Sequence, residues 1–138
     1  MKAQAAFEYM LMAVLVLAFV TPLWIYMVSI NTDASDELTL AYAKNAVNSI
    51  TSGADLVYSQ GPPAKIKVSI NVPDGVLAAN LTNHTAFFRI NHYNGVTHIY
   101  SLSKARLNGT IPTRKGTYLM EIRAVDNAEF DIDVQRAT

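Results

Sequence analysis

No charged side chain occurs in residues 9–30, and this run constrains the fold more than any other feature of the chain. A helix rises about 1.5 Å per residue, so the run is long enough to cross the roughly 30 Å of a bilayer core. The sequence therefore predicts a membrane-capable helix. A cleaved secretory signal has a shorter apolar region followed by small residues; here the small residues Ala3, Ala5 and Ala6 come first. Pro22 removes a backbone donor and crowds the carbonyl of Ala18, which predicts a kink or local loosening. One carboxylate, Glu8, stands at the mouth of the run, and the next charge along the chain is Asp33. A charge entering hydrocarbon is costly unless something meets it.

With 138 residues, 51% of them hydrophobic, the chain has room for one membrane segment and one small folded domain. Eleven basic residues balance eleven acidic ones without a basic block, which argues against a nucleic-acid partner. Cysteine is absent, excluding disulfides, thiolate zinc sites and cysteine nucleophiles. The folded part must hold together by packing.

After Asn31 the chain turns polar. Ser35, followed by Asp36 and Glu37, reads as the N-cap and acidic first turn of a second helix. Leu40, Ala43, Val47, Ile50, Ala54 and Val57 then recur at spacings of three and four, a single apolar stripe that ends at Gly61, Pro62 and Pro63. The two helical stretches can join as one kinked spine, and the stripe is expected to pack on the chain's own later domain. From Lys65 the period changes to two. Residues 65–72 read as a half-buried strand, with further strands at 86–93, 96–103, 117–125 and 130–134. Asn94-Gly95 signals a two-residue hairpin turn, pairing Asn91 with His98 and placing Phe88, Ile90 and Ile99 on one face. Short strands without intervening helices predict a small antiparallel sandwich or barrel. The fold class is thus α+β, a long helix followed by a β-rich head.

Three Asn-x-Thr sequons, at Asn80, Asn83 and Asn108, lie in turn-like surroundings and are candidate N-glycosylation sites. His84, His92 and His98 form no metal site, because the expected hairpin sends His92 and His98 to opposite faces. Glu129, Asp131 and Asp133 alternate and read as the solvated side of the last strand. Phe7, Tyr9, Trp24 and Tyr26 read as packing or interface residues of the first helix. No nucleophile–base arrangement or phosphate loop stands out, so neither an enzyme nor a cofactor is expected.

The segment Lys2-Ala3-Gln4-Ala5-Ala6-Phe7-Glu8, running straight into the apolar helix, resembles the class III signal peptide of archaeal type IV pilins. In that family a membrane peptidase cuts after a small residue preceded by a basic one. The mature chain begins with glutamine and carries glutamate as its fifth residue. The resemblance implies cleavage between Ala3 and Gln4, with Gln4, Glu8 and Pro22 as assembly residues. Ala6 replaces the family's frequent serine, and Met12 its usual leucine; the related archaellins typically lack the glutamate, so Glu8 favours a pilin. The passage Ala-Asp-Leu-Val-Tyr-Ser-Gln-Gly ending at Gly61 also resembles such proteins.

The implied organisation is a leader at 1–3, a helix at 4–60 (apolar over 4–30, amphipathic over 35–60) and a β-rich head at 65–138, together a lollipop. The implied role is that of a major subunit of an extracellular adhesive filament. The implied partners are identical subunits, the prepilin peptidase, an assembly ATPase and its membrane platform protein, with residence in the cytoplasmic membrane before assembly. Two other readings stay open: a minor pilin or membrane-tethered extracellular binding protein, and an unprocessed single-span receptor or enzyme.

Overall fold

The computed structural model describes residues 2–92 and 95–137. Helix α1 (Lys2–Gln60) is followed by β1 (Lys65–Val72), β2 (Val76–His92), β3 (Gly95–Gly109), β4 (Gly116–Ala124) and β5 (Ile132–Arg136). The chain divides into two compact units, Met1–Ser35 and Asp36–Thr138. The first consists of α1 residues; the second contains the remainder of α1 and the sheet.

The two stretches join as the single helix expected, which runs unbroken through both Pro22 and residues 31–35; the N-cap expected at Ser35 is what the structure corrects. The hydroxyls of Thr32 and Ser35 donate to the carbonyls of Val28 and Asn31 at 3.1 and 2.8 Å. A side chain that bonds back four residues is accommodated inside a helix, so Ser35 does not act as an N-cap. The expected stop does hold. Gly61 takes φ +71°, and its N–H meets the carbonyls of Val57 and Tyr58 at 3.0 and 3.2 Å, a left-handed C-terminal cap suited to glycine.

In the second unit the predicted stripe becomes the core from Ala43 onward, with Ala46 added to it, whereas Leu40 is only half-buried. Ala43, Ala46, Val47, Ile50, Ala54 and Val57 are at most 2% exposed and pack with Ile70, Phe88, Ile90, Met120, Ile122 and Val134. The approach is close at Gly53, where an added Cβ would lie 2.8 Å from Ile122 Cδ1 and 3.1 Å from Ile66 Cδ1. Small residues on α1 thus let it settle onto β1 and β4.

The strands form one sheet in the order β1-β4-β5-β3-β2, antiparallel except for the β3–β5 pair. This corrects the expected sandwich or barrel: a single sheet curls, and α1 takes the place of a second layer. β2 doubles back on itself near Asn83: its residues 76–82 pair with no other strand, and the Asn91 N–H donates to the Gly75 carbonyl at 2.9 Å, two groups that a straight strand would hold on the order of 50 Å apart.

The ribbon turns its corner where the β2–β3 register slips, between the pairs Asn83↔Leu107 and Thr85↔Leu102. Asn83 has φ +50° there, a backbone region that asparagine enters more readily than most residues. The extra β3 residues keep their backbone groups satisfied through side chains. Asp55 Oδ1, on α1, accepts from Ser103 Oγ at 2.7 Å and from the Lys104 N–H at 2.8 Å. Ser103 Oγ in turn accepts the Ala105 N–H at 3.1 Å, and Asp131 accepts the Arg106 N–H at 2.9 Å.

The hairpin register also differs from expectation, because His92 pairs with Gly95 and Asn91 with Val96. Asn94, the first residue of the expected turn, lies outside the described residues. A slip of two preserves the faces. Phe88 and Ile90 are buried and Ile99 is packed against them, whereas Val96 and Leu102, on the other face, are exposed.

Candidate functional site

Among the described residues, the unit Met1–Ser35 has no buried side chain. Every side chain from residue 4 to residue 31 is exposed, including Phe7 at 62% and Trp24 at 70%. The apolar window within α1 is unburied along its whole length and long enough to cross a membrane. Burying one large apolar side chain contributes about 1.5–3 kcal/mol. Leaving this surface in water therefore costs on the order of tens of kcal/mol, and the segment needs an apolar surrounding that the rest of the chain does not supply.

Helical spacing brings Ala5, Glu8, Tyr9 and Met12 to one side, around a shallow groove of about 350 Å³. Gln4 and Glu8 are both exposed and one turn apart, about 6 Å along the axis. The bond between Ala3 and Gln4 lies in the first turn of α1, where backbone N–H groups lack helical acceptors and the helix opens most easily. At Pro22, which offers no N–H to Ala18, the neighbouring Thr21 hydroxyl donates to the Leu17 carbonyl at 2.7 Å. Tyr9 and Tyr26 are exposed alongside Phe7 and Trp24.

In the second unit the candidates scatter. Asn80, Asn83 and Asn108 are all exposed, but they lie within β2 and β3 rather than in turns. Sequence alternation did not reveal the first half of β2, which lacks a period of two and bends at Asn83. His84 Nδ1 lies 3.1 Å from the Ala105 carbonyl, and His98 is exposed beside Arg89. The His92 side chain lies outside the described residues. Among the described residues no three His, Asp or Glu side chains converge in a way that could hold a metal ion.

Glu129, Asp131 and Asp133 do alternate with the buried Ile132 and Val134, on the outer side, but the last two are bonded rather than simply solvated. Glu129 precedes β5, Asp133 accepts from Gln135 Nε2 at 2.7 Å, and Asp131 is engaged with Arg106. The Arg106 guanidinium bonds both Asp131 oxygens, at 2.8 and 3.1 Å, and the Ala128 carbonyl at 2.8 Å. Hydrogen bonds from that guanidinium, then from the Arg106 N–H, hold the Asp131 carboxyl below its ordinary value. The same side-chain bond raises the Arg106 pKa. Together with Asp55 and Ser103 this pair forms the polar corner of the sheet, which the sequence reading missed. Its one sequence signal is polar residues interrupting the alternation at Ser103, Lys104 and Arg106. An open hollow of about 490 Å³ beside it is lined by Tyr58, Gly61, Pro62, Ala124, Val125, Asp126 and Asp131.

No family model, curated protein sequence or solved structure matches this chain.

Proposed function

We propose that the chain is a structural subunit of an extracellular archaeal type IV pilus, processed between Ala3 and Gln4 and polymerised through its apolar stem. The observation that carries this reading is the stem itself, wholly exposed in the folded chain, with Glu8 one turn beyond Gln4. In the bilayer, lipid surrounds the stem and little is gained by helix association beyond van der Waals packing. Once drawn into water, the stem can hide its surface only against other stems, at about 25 cal/mol per Å². A non-closing, head-to-tail repeat of that contact produces a filament, with stems inside and β heads outside.

Glu8 then has a partner. Cleavage before Gln4 creates a cationic amine one turn away, and on stem bundling the amine meets Glu8 of the same or a neighbouring subunit. Two charges that are each costly in an apolar core become a pair that sets register. Adhesion is the role implied for the filament, and the subunit is placed as a major rather than minor component. The peptidase, assembly ATPase and platform protein are the partners this route requires.

The test is mass spectrometry of the N-terminal peptide from material sheared off native cells, together with a Glu8→Gln variant. Filament protein starting at Gln4, and a variant that is processed but unassembled, are the expected results. Protein starting at Met1 and retained in membranes would instead favour a tethered receptor. Normal filaments from Glu8→Gln would remove the charge pair from the assembly scheme.

A further inference from the structure

A half-buried antiparallel sheet turns apolar residues to its core and polar residues to water, and the two halves of this sheet follow that rule unequally. On β1 and β4 the side away from the core carries Lys65, Lys67, Ser69 and Asn71 opposite Arg123, Glu121, Leu119 and Thr117, with Leu119 the one apolar member. On β2 and β3 the pairs on the side away from the buried Phe88 and Ile90 are Phe87↔Tyr100, Arg89↔His98 and Asn91↔Val96, with Leu102 opposite Thr85. Tyr100 and Leu102 are 68% and 67% exposed, and Val96 is exposed with them. This face is cationic as well as apolar. No Asp or Glu lies between Asp74 and Glu121 in the chain, and among the described residues the exposed Arg89 has no ion-pair partner. Exposed apolar surface that includes Tyr and Arg has the composition of a protein interface rather than of a solvated sheet face.

The same chain carries a surface of complementary character. Where α1 passes the turn between β1 and β2, Leu38 and Tyr42 are exposed, and with Val72, Pro73, Asp74 and Lys115 they line a hollow of about 160 Å³. The Gly75 N–H donates to Asp74 Oδ1 at 2.9 Å and holds that carboxylate at the rim. Lys115 is the one cation in the lining, 3.8 Å from Asp74 Oδ2 in an exposed pair of the kind that contributes little. Asp36 and Glu37 come immediately before Leu38 on α1, so acids outnumber bases around the hollow.

We propose that the outer β2–β3 face of one head docks onto the hollow at Leu38, Tyr42 and Asp74 of a second copy of the chain, with Tyr100 and Leu102 against the apolar lining and Arg89 against Asp74. This contact rests on the filament reading above and names the surfaces by which its heads meet. The two surfaces share no residue, so the contact is heterologous: each head gives its face to one neighbour and its hollow to another, and the repeat extends as a helix wherever its rotation does not close a ring. The apolar side chains supply the buried area. The charges fix register and orientation, since a head placed with Arg89 away from Asp74 loses the attraction and one that turns cation onto cation is repelled.

The chain contains no cysteine, so introduced pairs report the contact without background. Full-length protein carrying Tyr100→Cys and Tyr42→Cys, collected from sheared filaments and from membranes and treated with a flexible bismaleimide, is expected to give a ladder of covalent oligomers on a denaturing gel. Either single substitution is expected to give monomer. Adding Arg89→Glu to the pair is expected to reduce the ladder about fivefold, and adding Asp74→Lys to that is expected to restore it to within about twofold. All four positions are exposed, and an unchanged near-UV dichroism melting curve shows that the variant heads are folded. Folded protein without the ladder overturns the proposal, as does a dimer from Tyr100→Cys alone, which marks a two-fold contact between like faces, or a loss at Arg89→Glu that Asp74→Lys does not reverse. Filaments without the ladder refute this contact and leave the filament reading standing; a ladder in membranes from protein that never enters filaments supports the contact and refutes that reading.

Discussion

Replacing Asp55 with alanine tests the account of the sheet corner directly. Asp55 Oδ1 is the shared acceptor for Ser103 Oγ and the Lys104 N–H, at 2.7 and 2.8 Å. A hydrogen bond to a charged group contributes about 1.5–3 kcal/mol, and a buried donor left unmet costs about 1–3 kcal/mol. Ser103 is only 7% exposed and loses its acceptor in a place water reaches poorly, whereas Lys104 is exposed and its N–H can turn to solvent. The expected net loss is about 2–4 kcal/mol, dominated by the serine. For a unit of this size that corresponds to a fall in Tm on the order of 10–20 °C. The assay is thermal unfolding of the full chain in detergent. Tyrosine near-UV dichroism follows the head, and Trp24, the sole tryptophan and a stem residue, provides a separate signal that should not move. Asp55→Asn keeps an acceptor of the same shape without its charge and should lose about half as much. An alanine variant within 0.5 kcal/mol of the native chain would refute the argument that Asp55 holds the corner.

Gly109→Ala should destabilise the head by more than about 3 kcal/mol, since Gly109 has φ +133° and an added Cβ would overlap the Val134 carbonyl, 2.8 Å from its carbon; a denaturant midpoint unchanged from the native value would contradict this. Acid should loosen the same region. The Asp131 carboxyl is depressed by Arg106, so its contribution is fully present above the ordinary carboxylate range near pH 4 and is lost as pH falls through the lower folded value. Glu121, depressed chiefly by its 2.6 Å bond from Arg123, acts in the same direction. Unfolding temperatures between pH 6 and pH 2 should therefore decline less steeply in Asp131→Asn than in the native chain, and parallel declines would count against the assignment.

Individual elements show why parts of the fold were legible and others were not. The stripe from Ala43 to Val57 announces itself because helical spacing leaves one apolar face whatever covers it, and the covered face is the one expected. Strands β1 and β4 match their sequence readings to within a residue, because both alternate on a half-buried surface. The Asn91–Val96 pairing was missed for a definite reason. Moving the partner by two residues leaves every side chain on its original face, so alternation cannot distinguish the two registers. Ser35 misled because serine favours a cap locally, yet bonds back to Asn31 when helix continues on both sides.

Sequence alone therefore determined the features that arise from local pattern: an apolar stem with one carboxylate near its start, an amphipathic continuation, a glycine stop and several strands. Tertiary structure decided the features that depend on residues far apart in the chain. The parallel insertion of β5 beside β3, the curl that joins Gly75 to Asn91, and the capture of a bulged strand by Asp55 and Asp131 all rest on pairings across 16 to 49 positions. Such contacts form only when the loops between them close, and no short window of sequence records which carboxylate will meet which unpaired N–H.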